Sequence, residues 1–170
     1  MIKQDYLVRM IQEIISLIAN AILNKKKLRK QEWVEYDCLT RQILGFPAEQ
    51  LIGMDMQELI GRYKGDPDEM GKIELAAMSM LKLSEDMSLD HVLQKSKLRQ
   101  DGLWLLKYVQ EEGNTFSIQR TSLIKLLEIN GWIKKRYAGV EASVMHKTLL
   151  HLRLLILKNY IFVAQLQNRV

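Results

Sequence analysis

A chain of 170 residues, 48% hydrophobic and 26% charged, has the balance of a soluble globular protein, which argues against disorder and against a membrane-embedded bundle. Its length suits a single domain with a real core. The net charge of +5 is uneven, with 8 basic and 6 acidic side chains in residues 1–50, 8 and 12 in 51–115, and 9 and 2 in 116–170. The positive excess therefore sits in the last third, where it can steer an acidic partner or coat a terminal helix.

Residues 4–23, QDYLVRMIQEIISLIANAIL, open the chain as an apolar helix. Arg9, Gln12, Glu13, Ser16 and Asn20 recur at steps of three and four and make one narrow polar stripe. Leu7, Met10, Ile11, Ile14, Ile18 and Ile22 lie opposite, and the rows Val8–Ile15 and Tyr6–Leu17 widen the apolar surface. Such a helix is expected to be sandwiched in the core. Asp5, Arg9 and Glu13 interrupt it, and it lacks about 20 unbroken apolar residues, so neither a membrane span nor a signal sequence is expected.

NKKKLRK follows as a basic turn, its lysines favouring the end of the preceding helix. A second helix runs through QEWVEYDCLTRQIL, with Trp33, Tyr36, Leu39 or Thr40, and Ile43 on one face and Gly45 and Pro47 as its stop. Two brief turns come next, Asp55 capping the second and glycines 53, 61 and 65 as punctuation. Asp66 then caps a helix with Pro67 in first position and Asp68 and Glu69 against the dipole. Ile73, Ala76, Ala77, Met80 and Leu81 form its buried stripe. Ser88 and Asp90 begin a longer helix that leaves near Gly113, and Thr115 or Ser117 caps another ending at Gly131. A final long helix spans about 140–167, carrying Val144, Leu149, Leu152, Leu155, Ile156, Tyr160 and Val163. No segment alternates with period two, and the expected fold is all-α.

The hairpin spacing resembles tetratricopeptide repeats. In LLKYVQEEGNTFSIQRTSLIKLLEING, Gly113, the aromatic Phe116 and the closing Leu-Leu pair follow the repeat outline, while Leu106 and Gln119 stand where the motif has small residues. In residues 16–47 the second helix ends in ILGFP, Pro47 matching the repeat's closing proline. The opening QDYLVRMI, Gln4 to Ile11, is similar to that of an uncharacterised bacterial family, which continues with a lysine-rich turn, an LLGL-like helix end and such hairpins. The similarity covers residues 3–130. It implies a tetratricopeptide-like array of antiparallel helical hairpins (about 4–131) and supplies no catalytic residues to carry over; beyond it, the long C-terminal helix (about 140–168) reads as a capping or dimerisation helix, and the chain as one domain over 1–170.

No chemical motif emerges from the chain. His91, His146 and His151 lack the HExxH spacing of a zinc site, and GxxxxGK[ST], GxGxxG and GxSxG are absent. The one cysteine, Cys38, precludes an internal disulfide, fits a reducing cytoplasm, and reads as a small buried residue. The acids at 66–69 and the Glu85–Asp86 pair fit a helix start and a turn. No catalytic, cofactor or metal residue is therefore expected. Six of nine methionines, Met54, Met56, Met70, Met78, Met80 and Met87, fall in one stretch and suit either an irregular core or a peptide groove.

The leading expectation is a non-enzymatic protein-interaction or scaffolding module in the bacterial cytoplasm. Tyr63, Met78, Trp104, Tyr108 and Trp132 are its candidate anchors, with Arg136 at the rim. Leu152, Leu155, Ile156, Tyr160 and Val163 are a candidate homodimer seam. The alternative is a nucleic-acid-associated regulator that contacts phosphates through Lys25, Lys26, Lys27, Arg29, Lys30, Lys134, Lys135 and Arg136.

Overall fold

The computed structural model describes residues 2–24 and 30–129, and every regular element among them is helical. The helices are α1 (Ile2–Leu23), α2 (Lys30–Leu44), α3 (Met56–Tyr63), α4 (Glu69–Asp86) and α5 (Val92–Glu112), followed by α6 over residues 118–129. Short 3₁₀ turns at Ala48–Ile52 and Leu89–His91 precede α3 and α5. The chain divides after Leu127 into two units, Met1–Leu127 and Glu128–Val170. Helices α1 to α5 and nearly all of α6 belong to the first.

The central element is α4, which packs against α1, α2, α3 and α5. Its sequence promised one apolar stripe, yet from Ile73 to Ser84 only Leu83 escapes full burial. Small side chains allow this: Ala76, Ala77, Ser79 and Ser84 let neighbours approach from several sides. The two serines are satisfied within the helix, Ser79 donating to the Leu75 carbonyl (2.8 Å) and Ser84 to that of Leu81 (2.6 Å).

Helix α5 runs antiparallel to α4. Lys95 donates to the Met87 carbonyl, Arg99 pairs with Glu85, and Gly102 lies against Leu81 and Ala77, so α5 ascends as α4 descends. At Gly102 an added Cβ would sit 3.0 Å from the Leu81 side chain and 3.2 Å from the Ala77 carbonyl oxygen. The absent side chain sets the helix separation here. Gly113 ends α5 as expected, but with φ −83° instead of a left-handed turn. Its glycine is required by crowding, since a Cβ would fall 2.4 Å from the Val109 carbonyl oxygen.

Helix α1 departs from the sandwiched expectation. Ile11, Ile14, Ile15, Ile18 and Ala19 are buried, whereas Tyr6 and Val8 are 66% and 41% exposed. Ile11 meets α4 at Gly71, the third residue of that helix, so the earlier turns of α1 run past the start of α4. By length and mean hydropathy (1.5 over Gln4–Leu23), α1 is also apolar enough to cross a membrane, although charged residues interrupt it.

The remaining expectations resolve locally. Tyr36 and Leu39 are half-buried and Thr40 and Ile43 buried, which turns Cys38, two residues beyond Tyr36, outward. The buried reading of Cys38 is therefore corrected by the helix's own periodicity. Gly45 closes α2 at φ 83°. Asp55 caps α3, its Oδ2 accepting from the Gln57 and Glu58 amides at 3.0 and 3.3 Å. Gly61 lies inside α3 and punctuates nothing. Asp66 Oδ1 accepts from the Asp68 amide (2.9 Å), but the helix proper begins at Glu69 with Asp68 in the cap position. The turn residues between account for the shift.

Candidate functional site

Two charges lie on buried stripes. Glu74 precedes Ala77, Met78 and Leu81 at steps of three, four and seven, and Arg120 precedes Leu123, Ile124 and Leu127 in the same way. Helical geometry therefore carries both inward. They meet across 46 positions: Arg120 Nη1 donates to Glu74 Oε2 at 2.8 Å, with side chains only 2% and 4% exposed. Arg120 Nη2 also donates to the Thr115 carbonyl oxygen. Ser117 receives the Arg120 amide on its hydroxyl at 3.2 Å, capping α6 and aiming the arginine at α4. Ser16 of α1 donates to Gln119 at 3.1 Å, so α6 is fastened to both α1 and α4.

The pair is incompletely satisfied. Among the described residues, Glu74 Oε1 and Arg120 Nε have no hydrogen-bond partner. Burial pushes the Glu74 carboxyl above its ordinary value, outweighing the opposing pull of Arg120.

Glu74 also lines a cleft of about 260 Å³ between α1, the start of α4 and the segment before α6. Val8, Ile11 and Met70 supply apolar walls, and Asp68, Glu69 and Glu74 supply carboxylates. Glu69 Oε2 accepts from the Gly65 amide at 3.0 Å. Asp68 occupies the N-cap position of α4 without accepting a capping hydrogen bond. Among the described residues no group of His, Cys, Asp and Glu is arranged to hold a metal ion.

A second polar knot surrounds Tyr63, one of the expected anchors. Tyr63 is 6% exposed, and its hydroxyl donates to the Leu44 carbonyl at 2.9 Å. It thereby satisfies an orphan carbonyl at the end of α2 and ties α3 to it. Lys72 lies over the Tyr63 ring and pairs with Asp66 at 2.5 Å, while Arg62 covers Phe46. Burial pushes the Tyr63 phenol up to about 12. The Lys72 hydrogen bond holds Asp66 below the ordinary carboxylate value. Tyr63 is a structural strut, which corrects the anchor reading.

Met78 is corrected in the same way, being fully buried in the centre of α4. Met54 and Met80 are buried as well, and Met56, Met70 and Met87 are partly buried against the core. The methionine-rich stretch mainly fills space between helices. Trp104 and Tyr108 are brought together on α5, their rings stacked at 5.9 Å and 12°. His91 is exposed in the turn before α5. Trp132, Arg136, the residues of the dimer seam, Lys25–Lys27, Arg29, Lys134 and Lys135 lie outside the described residues, as do the side chains of Lys30 and Trp33.

Glu74 and Arg120 were not among the sequence candidates. Their signal was a charge at the head of an apolar i, i+3, i+4, i+7 stripe, which marks burial but names no partner. Comparison of the chain with family models, with curated proteins and with solved structures finds no match.

Proposed function

We propose that the chain is a non-enzymatic protein-interaction or scaffolding module, built from tetratricopeptide-like hairpins and working with a protein or peptide partner in the bacterial cytoplasm. The α4–α5 hairpin is the unit that best supports the repeat reading. The contacts of α4 with α1, α2 and α3 as well go beyond the neighbour-only stacking of an open array.

The observation that carries the proposal is the outer face of α5. Leu93, Trp104 and Tyr108 fall on one side of the helix by their spacing. Leu93 is 86% and Trp104 43% exposed, while Leu98, Leu105, Leu106 and Val109 on the other side are buried. A stacked Trp-Tyr pair on a rigid helix offers large contact area with little conformational entropy to lose, the usual character of an interface anchor.

A photo-crosslinking amino acid at position 104 of the full chain, expressed in its native cell, tests this reading. A discrete adduct with another protein, absent when the same group stands at exposed Arg9, is the expected result. No adduct, or the same adducts from both positions, overturns it.

A further inference from the structure

We infer, resting on the α5 reading above, that its outer face pairs with the same face of a second copy of this chain, the two helices running antiparallel about Trp104. Leu93, Lys97, Gln100, Trp104, Tyr108 and Glu111 recur at steps of four and three along α5, the spacing with which one helix seats against another. All are exposed except Tyr108, which is partly exposed and stacked on Trp104.

The order of residues along that stripe favours a copy of itself. A two-fold contact places each residue opposite the one equally far on the other side of the axis. With the axis at Trp104, Lys97 lies seven positions before it and Glu111 seven after, about 10 Å each way at the helical rise. Lys97 of either copy therefore falls level with Glu111 of the other, twice per dimer. Gln100 and Tyr108, four positions to either side, come level in the same manner, and the two Trp104 rings share the centre. Toward the ends, Leu93 of one copy nears the segment past Gly113 of the other, which carries Phe116. Leu93 and Phe116 are 86% and 80% exposed, the most of any large apolar side chains among the described residues.

The charges of the whole helix give the same orientation. From Val92 to Leu103, α5 has three basic residues and one acidic; from Trp104 to Glu112 it has one basic and two acidic. Antiparallel copies set the positive half against the negative half and oppose their dipoles, whereas parallel copies set like against like. Lys97 also donates to Asp101 of its own helix at 2.6 Å. An ammonium has three donors, so that bond and a contact across the axis are compatible. An unrelated partner could use the Trp-Tyr pair, but has no need of opposite charges set equally far from it. The face is narrow: a stripe about 30 Å long and 10 Å wide covers on the order of 300 Å² per copy, against roughly 800 Å² in a stable interface. The dimer is therefore weak and concentration-dependent.

Sedimentation equilibrium of the full chain, from about 10 µM to about 1 mM, is expected to show reversible dimerisation. Lys97→Glu and Glu111→Lys, each alone, are expected to weaken it about tenfold, because each sets like charges opposite one another at two places in the dimer. An equimolar mixture of the two variants is expected to regain it, since in the mixed dimer the two altered charges meet and the native pair remains. Both positions are exposed, so folding of the monomer is expected to be unaffected. A strict monomer throughout, association indifferent to either reversal, or no recovery on mixing overturns the inference.

A photo-crosslinking group at position 104 separates the second copy from the reading it rests on. An adduct of twice the chain mass is expected. Adducts only with a different protein overturn the second copy and leave the α5 face an interaction surface; no adduct overturns both.

Discussion

Helices α1 and α4 exchange the roles their compositions suggest. Gln4–Leu23 of α1 is the more apolar, with mean hydropathy 1.5, yet its first turns are largely exposed, with Leu7 and Met10 partly buried against the core. Helices α1, α2, α3 and α5 surround α4 instead, although α4 carries Lys72, Glu74 and Lys82. Centrality followed side-chain size and position more than hydropathy. Alanines and serines on α4 admit neighbours on several sides, while the large isoleucines of α1 can be covered only where another helix reaches them. The price of that arrangement is charge in the core.

The sharpest way to break the contrast is to remove one of those charges. Arg120→Ala is expected to destabilise by about 3–5 kcal/mol, because Glu74 is left buried without its counter-charge. The double change Glu74→Leu with Arg120→Met should recover most of that loss, since apolar groups of similar size replace a buried pair at little cost. Denaturant unfolding of the three chains checks both statements; a double variant no better than the single would show that the pair is worth more than its desolvation.

Next in size is a comparison within α1. Ile18→Ala, at a fully buried position, should cost about 2–5 kcal/mol, whereas Tyr6→Ala should stay within about 0.5 kcal/mol. Equal losses at the two positions would mean that the first turns of α1 are covered in solution. Smaller again is the α4–α5 seam. Gly102→Val pushes a branched side chain against Leu81 and the Ala77 backbone, and should cost about 1–3 kcal/mol, read as a lower thermal midpoint.

The last contrast is between two carboxyls. Glu74 lies above its ordinary value of 4.5, so its contribution to stability is complete at acid pH and is lost as pH rises through the raised value. Asp66 lies below its ordinary value of 3.8, so its contribution is present above that value and is lost as pH falls through the lowered one. Carboxyl-resolved NMR titration should place the two midpoints on opposite sides of the ordinary range. Lys72→Met should return Asp66 toward its ordinary value and leave Glu74 unmoved.

Much of the local structure was legible because its causes are local. The cap at Asp55, the stop at Gly45 and the exit at Gly113 depend on residues within a few positions. The buried face of α2 follows from periodicity, and the same period turns Cys38 outward although a lone thiol suggests burial. Tyr63 and Met78 were misread because an aromatic or a thioether suits a core and an interface equally. Only their neighbours distinguish the two, and for Tyr63 the deciding neighbour is the Leu44 carbonyl.

By itself, then, the sequence determined that the described chain is helical, where most helices start and stop, and one inward stripe on each of α1, α2 and α4. These are properties of single segments, set by capping groups and by a 3.6-residue period. Only the tertiary structure decided that α4 is central, that Arg120 answers Glu74 from 46 positions away, and that α1 overhangs a carboxylate-lined cleft. Those facts depend on how far one helix reaches along another, which hydrophobic patterning does not encode.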